Sequence, residues 1–312
     1  RGLGDVYKRQ ILRKKWMLNG ALILNKPSGI SSGIFSRKIK KFLRFKEKVG
    51  HAGTLDPLAS GILIICIGQM TRFIHFLNLE RKTYTAEISL GIKTNTGDLE
   101  GKIIEKTKNI PTKKDFEKTL GNFIGDISQK PPAYSSLKYK GKPYRYYAIR
   151  GIPIKIEERK VKIYDLKILS LKNDTLKIHV DCGSGTYIRS LAEDICESLN
   201  SYGAVSELIR TKSAGYVIDD CLDIEEINKE NIEKKIIKPG DALRGLDRIQ
   251  CRSEIVDKIT RGQIIETDMA NKNGFFRFFD TEENFLGIVE SYDGLLKPKR
   301  LLGNFNNNGD SS

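Results

Sequence analysis

Three features of this sequence agree with an α+β fold. Segments of strand and helix character both occur, without the regular alternation that builds a doubly wound parallel sheet. Residues 83–90 alternate, with Tyr84, Ala86, Ile88 and Leu90 on one face and Thr83, Thr85, Glu87 and Ser89 on the other, as in a strand with one buried side. Helical periodicity appears instead at Phe35, Ile39, Phe42 and Leu43, and at Phe116, Leu120 and Phe123.

The 312 residues suffice for a main domain with a sizeable core and a smaller second one. The net charge of +15 points to a polyanionic partner, either nucleic acid or an acidic membrane surface. Five cysteines at irregular gaps make neither a disulfide framework nor a metal knuckle, and suit a reducing cytosol. The three histidines show no ligand spacing, so no metal is expected. No apolar run approaches the roughly 20 residues that span a bilayer.

In chain order, residues 1–16 are basic and aperiodic, carry no signal-peptide pattern, and read as a non-native or disordered segment or a basic arm. Residues 21–24 form a short buried strand. Lys26-Pro27-Ser28-Gly29 is a turn, and Ser31 or Ser32 can cap the helix after it. That helix carries Arg37, Lys38, Lys40, Lys41 and Arg44 on its remaining surface, which is usually a solvated face.

Gly50-His51-Ala52-Gly53-Thr54-Leu55-Asp56-Pro57-Leu58-Ala59-Ser60-Gly61 follows, with three glycines, a proline and one carboxylate. Glycine and proline specify a loop of defined shape. It leads into an apolar strand, residues 62–67. No Lys or Arg lies between His51 and Met70, so any cation paired with Asp56 comes from elsewhere. Read alone, a loop aspartate of this kind closes an Asx-turn or caps a short helix.

Residues 71–79 read as a short helix and 91–101 as a loop. Thr112-x-x-Asp115 has the form of a capping box. In residues 129–147, five tyrosines interleave with five basic residues. Cations answer phosphates and aromatic faces stack bases, so this suits RNA contact, while a hairpin covering the core edge is the plainer account. Strands follow at 161–171 and 175–181, then a glycine turn and a helix over 186–195. That turn is no dinucleotide fingerprint, since Ile188 stands where the third glycine belongs. Asp223 is a further candidate cap and Pro239-Gly240 a turn; beyond about residue 250 short strands take over.

The twelve-residue segment resembles the signature G-H-x-G-x-L-D-P-x-A-x-G of the bacterial tRNA pseudouridine synthase B family at every fixed position. Lys26-Pro27-x-Gly29, Lys82-x-Tyr84 and Gly185-Thr186-Tyr187-Ile188-Arg189 resemble that family's other motifs. The likeness runs from about residue 21 to 302. It implies a mostly antiparallel twisted sheet with flanking helices and an active-site cleft across it. It also implies isomerisation of uridine to pseudouridine at position 55 in the tRNA T loop, without cofactor or metal.

By the same resemblance Asp56 is the catalytic carboxylate, Arg189 pairs with it, Tyr84 belongs to both the catalytic and the base-holding set, and Tyr187 and Leu208 hold the target base; His51, five residues before Asp56, either helps flip the base or is a hydrogen-bonding residue of the loop. Residues 129–151 resemble the tRNA-gripping insertion, with Lys138, Lys140, Lys142, Tyr134 and Tyr139 as candidate contacts. The domains expected are 17–248 (catalytic) and 249–303 (PUA-like and RNA-binding), with a disordered tail over 304–312. The protein is expected to be a cytoplasmic monomer that needs no membrane and no protein partner. A non-catalytic tRNA chaperone and a guide-dependent ribosomal RNA synthase are the alternatives. A binding-only protein has no use for a carboxylate facing a phosphate-rich ligand, and the compact insertion speaks against the guide-dependent relative.

Overall fold

The structure, a computed structural model, describes residues 18–303 except 45, 229 and 268–271. The basic segment 1–16 and the tail 304–312 lie outside the described residues.

The main sheet has nine strands. They are β1 (Gly20–Lys26), β2 (Val49–Ala52), β3 (Ser60–Ile67), β4 (Arg81–Leu90), β7 (Gly125–Gln129), β10 (Arg159–Lys172), β11 (Thr175–Gly183), β12 (Gly203–Ser213) and β13 (Tyr216–Val217). The intervening labels belong to two small hairpins, β5 (Ile92–Thr94) with β6 (Ile103–Lys106), and β8 (Lys138–Tyr139) with β9 (Lys142–Pro143). The main order is β1-β3-β12-β4-β11-β10-β7, with β2 beside β3 and β13 beside β12. Every pairing in it is antiparallel except the short parallel one of β3 with β12.

Burial explains the two kinds of strand pattern. On β4, Tyr84, Ala86, Ile88 and Leu90 enter the larger core, while Thr85, Glu87 and Ser89 stay half-buried on the other face. On β3, Leu63, Ile65 and Ile67 join that same core, whereas Ile62, Ile64 and Cys66 enter a second one. A strand covered on both faces reads as a continuous apolar run.

Three helices cover the larger core: α1 (Ser32–Phe42), α2 (Lys113–Thr119) and α4 (Ile188–Ser198), through Phe35 and Ile39, Phe116, and Leu191 and Ile195. Between α2 and α4 lies the short α3 (Tyr144–Ile149). Ser31 caps α1, accepting from the Ile34 amide, and Thr112 with Asp115 forms the expected capping box on α2.

The C-terminal part is a five-stranded sheet of order β14-β16-β17-β18-β15. Its strands are β14 (Asp247–Gln250), β15 (Ile265–Glu266), β16 (Gly274–Phe279), β17 (Phe285–Tyr292) and β18 (Leu295–Leu301), with α5 (Ser253–Thr260) packed on them. Edge-on rings join it to the main body: Phe73 meets Phe285 at 5.8 Å and Phe76 meets Phe275 at 5.3 Å.

Several expectations need correction. Residues 50–52 extend β2 instead of opening a loop, because their backbone pairs with β3. Residues 71–79 form two tight 3-10 turns, Gly68–Arg72 and Ile74–Phe76, instead of one helix. Part of the 91–101 loop is β5. Phe42 is 52% exposed, since α1 ends there and Leu43, just past the last turn, takes the buried place. The helix expected from Thr186 begins at Ile188, so Tyr187 stands at its N-cap in an extended conformation.

One side chain joins α1 to the candidate loop. Ser32 Oγ donates to the Leu55 carbonyl and accepts from the Leu55 amide, both at 2.8 Å. Ser32→Ala strands both buried groups and should lower stability by about 1–3 kcal/mol, read as a lower denaturation midpoint with unchanged slope.

Candidate active site

The loop between β2 and β3 is held by its carbonyls. Arg210, on β12 and fully buried, donates to the carbonyls of Gly53 (3.0 Å), Thr54 (3.3 Å) and Ile62 (2.6 and 2.9 Å). Ser32 takes Leu55. The Asp56 carbonyl accepts from the Ala59 amide at 3.1 Å, that of Pro57 from the Gly29 amide at 2.8 Å, and that of Leu58 from Ser28 Oγ at 2.7 Å. Every carbonyl from 53 to 58 therefore has a donor, and the loop has no cheap alternative conformation. Lys26 Nζ, also interior, donates to the carbonyls of Pro27, Ile30 and Pro57. Burial pushes its pKa down to about 8, against the pull of Glu100 and Asp56. Gly61 must be glycine: its φ is +96°, and a Cβ there would lie 2.4 Å from the Arg210 carbonyl.

From this frame Asp56 presents Oδ2 to Arg189 Nη2 at 2.8 Å. The Asp56 side chain is 35% exposed and that of Arg189 only 4%. The pairing matches the resemblance, but the desolvated partner is the arginine, not the carboxylate. The acceptors around Arg189 gather on its two terminal nitrogens, while its buried Nε has no hydrogen-bond partner among the described residues. Nη1 donates to the Thr96 carbonyl at 2.7 Å, Nη2 to the Tyr134 carbonyl at 3.1 Å, and Asp98 Oδ2 lies 3.7 Å from Nη1. Asp98 is itself buried, holding the Thr96 hydroxyl at 2.6 Å and the Glu100 amide at 3.2 Å. One guanidinium thus sits between two carboxylates. Its helix is positioned by Gln129, which donates to the Tyr187 carbonyl and accepts from the Tyr187 amide, and by Ser190, which donates to the Lys130 carbonyl.

A cavity of about 270 Å³ opens on Asp56 and is lined in part by Tyr84, Tyr187, Leu208 and Lys82. A second, of about 210 Å³, has Asp56, Arg189, Asp98, Glu100 and Tyr134 in its wall. Asp56 belongs to both linings. Burial raises the pKa of Tyr84, opposed by nearby Arg210, and also raises that of Tyr187. Both phenols are therefore protonated at neutral pH. Burial and Arg210 lower the pKa of Lys82.

His51 is on β2 opposite Ile65 and lines neither cavity. Burial, then Arg210, lowers its pKa, and its buried Nδ1 has no partner. Lys138, Lys140 and Lys142 are exposed on the β8–β9 hairpin. The tyrosine faces there are already engaged: Lys140 lies over Tyr139, and both Lys142 and Arg150 lie over Tyr146. The base of the insertion is nonetheless tied to the site, through the Tyr134 carbonyl on Arg189.

From sequence, Lys26 and Lys82 stand out only as members of the resembling motifs and Ser32 only as a candidate cap, while Arg210, Asp98 and Gln129 are not singled out. Arg210 follows Leu208 by two residues and shares its buried face of β12, and an arginine on the inward face of an apolar strand is the available signal. Asp98 looked like turn chemistry and gave none.

The chain matches the family model for TruB family pseudouridylate synthase (N terminal domain) over residues 40–188, and that for Pseudouridine synthase II TruB, C-terminal, over 249–302. It is 34% identical over 305 residues to a tRNA pseudouridine synthase B of Vibrio atlanticus, covering 93% of this chain and 96% of that one. With the protein of the same name from Clostridium kluyveri it is 37% identical over 289 residues, covering 91% and 100%. Among solved structures, a chain of an H/ACA RNP bound to a substrate RNA containing 2'-deoxyuridine shares the fold. The TM-score is 0.66 and the identity 22%, over 87% of this chain and 78% of that one.

Behind Arg189, one turn on, Glu193 packs against Gly97. A Cβ on Gly97 would lie 3.2 Å from both Arg189 Cβ and Glu193 Oε1. Burial pushes the Glu193 carboxyl up to about 7, and Glu197 adds to this while Lys93 opposes it. A pKa raised in the folded state gives stability that is complete below the unfolded value, near 4.5, and is lost as pH rises through about 7. Glu193→Gln should flatten the fall in melting temperature across that window. An equally steep fall in the variant would show that Glu193 does not cause it.

Proposed function

Since the chain belongs to the TruB family of pseudouridylate synthases, we propose that it converts uridine 55 in the tRNA T loop to pseudouridine, with Asp56 as the catalytic carboxylate. It is an isomerase forming pseudouridine in tRNA. The reaction breaks N1–C1′, turns the uracil, and joins C5 to C1′; C5 loses a proton and N1 gains one. Asp56 attacks C1′ or C6, or removes the C2′ proton.

The observation that carries this reading is the Asp56 carboxylate, fixed at 2.8 Å from a buried guanidinium and open to a cavity walled by Tyr84, Tyr187 and Leu208. Arg189 fixes the carboxylate in place at the cavity wall. Asp98 leaves that guanidinium a counter-charge when Asp56 gives up its own, which avoids an unpaired buried cation. The target base leaves its stack to reach the cavity. There the neutral phenol of Tyr84 offers the uracil a donor, and Tyr187 and Leu208 give it apolar walls. His51 acts from outside the cavity, in displacing the base.

On this reading residues 17–248 are the catalytic domain, and 249–303 form a PUA-like RNA-binding domain. The enzyme acts as a cytoplasmic monomer that needs no protein partner. Among the described residues, no helix is long and apolar enough to cross a membrane.

The test is pseudouridine mapping on an unmodified tRNA transcript, with wild type and Asp56→Asn side by side. Asn keeps the turn, so the variant should bind tRNA and melt like wild type while making no pseudouridine. Activity within about tenfold of wild type, ~1.4 kcal/mol in barrier, would refute catalysis by Asp56. Modification at a different nucleotide would refute the position.

The insertion makes a separate expectation. Changing Lys138, Lys140 and Lys142 to Ala should flatten the salt dependence of tRNA binding by roughly 0.7 to 0.9 in log–log slope per lost phosphate contact. An unchanged slope would place these lysines in solvent.

A further inference from the structure

The basic face of α1 has no place in the site described above. Phe35, Ser36, Ile39 and Leu43 are buried, and the opposite side presents Ile34, Arg37, Lys38 and Lys41, all exposed. The helix contains no acidic residue. Among the described residues, Arg37, Lys38 and Lys41 have no carboxylate partner. Other surface lysines do find one: Lys93 with Glu197, Lys177 with Glu87, Lys299 with Glu290. The helix dipole accounts for basic residues in the last turn, Lys40 and Lys41, but not for Arg37 and Lys38 in the middle.

Position adds a second argument. The N-cap Ser31 lines the cavity shared by Asp56 and Arg189, and Ser32 holds Leu55, next to Asp56. Lys41 lies ten residues beyond Ser31, or about 15 Å along the axis. Arg37 reaches back toward the cavity end, with Nη1 3.9 Å from where a Cβ on Gly33 would be. Arg37 is therefore rooted about 9 Å along the axis from the rim and reaches back toward it, and the distance from the rim to Lys41 matches about four stacked nucleotides at 3.4 Å each.

We propose that this face is a second grip on the RNA backbone, where Arg37, Lys38 and Lys41 contact phosphates of the T arm that carries the target uridine. The proposal rests on the tRNA reading above. Exposed, unpaired cations gain from releasing the counterions of a polyanion, and they read no sequence. Ile34 interrupts the charge at the rim end, where a sugar or base edge would lie.

The test uses the full chain with Arg37, Lys38 and Lys41 all changed to Ala, and a second variant with all three changed to Glu. Folding is checked by thermal melting. Binding to an unmodified tRNA transcript and to an isolated T-arm hairpin is measured across a salt series. The alanine variant should lose about two units of log–log slope on both RNAs. It should also raise KM by about tenfold while kcat at saturating tRNA stays within about twofold. The glutamate variant should bind still more weakly.

A slope unchanged on both RNAs would overturn the proposal. So would a loss seen with full-length tRNA but absent with the hairpin, which would place the contact outside the T arm. Failure of the functional reading looks different: wild type would bind RNA with the predicted slope yet leave uridine 55 unmodified.

Discussion

Arg189 gives up almost all its contact with water to meet Asp56, and the elements around it are arranged to make that tolerable. A guanidinium cannot discharge itself by losing a proton, so its desolvation must be met by acceptors. Three distant parts of the chain supply four acceptors: Asp56 from the loop before β3, Asp98 and the Thr96 carbonyl from the loop after β5, and the Tyr134 carbonyl from the base of the insertion. The pair is therefore a junction. Moving any one of these segments leaves a buried charge short of a partner.

Arg210 does for the backbone what Arg189 does for the side chain. It spends its donors on loop carbonyls, turning a glycine- and proline-rich stretch into a rigid support. The parallel step between β3 and β12 brings Gly61 against Arg210, and only a residue without a Cβ allows that approach. Fold and site meet at this step. The break in an otherwise antiparallel sheet sets the loop carrying Asp56 beside the strand carrying Leu208 and Arg210.

Charge is distributed unevenly over the molecule. Near the site, Lys26, Arg189 and Arg210 are buried and committed to carbonyls or carboxylates. On α1 and the β8–β9 hairpin they are exposed, with Lys140 and Lys142 lying over tyrosine rings. Committed cations shape the chemistry, whereas free ones answer a ligand with many negative charges. The C-terminal sheet reaches the main body through the rings of Phe73, Phe76, Phe275 and Phe285, and on its β18 strand Lys297 and Lys299 are both paired with Glu290.

Local pattern carried much of this protein. The alternation on β4, the apolar run of β3 and the capping box on α2 each follow from the period of a strand or the geometry of a helix end, which neighbouring residues specify. The twelve-residue segment around Asp56 was legible too, because its glycines, proline and acid stand in a fixed order. What only the tertiary structure decided are relations between segments far apart in sequence. No local pattern tells that Arg210 holds the carbonyls of Gly53 and Thr54, or that Asp98, in an ordinary turn, is buried beside Arg189. Nor does it tell that Asp56 stays partly open to solvent while its partner is buried. Desolvation and long-range hydrogen bonding depend on which surfaces the sheet brings together, and that is set by strand order and register rather than by the residues on either side.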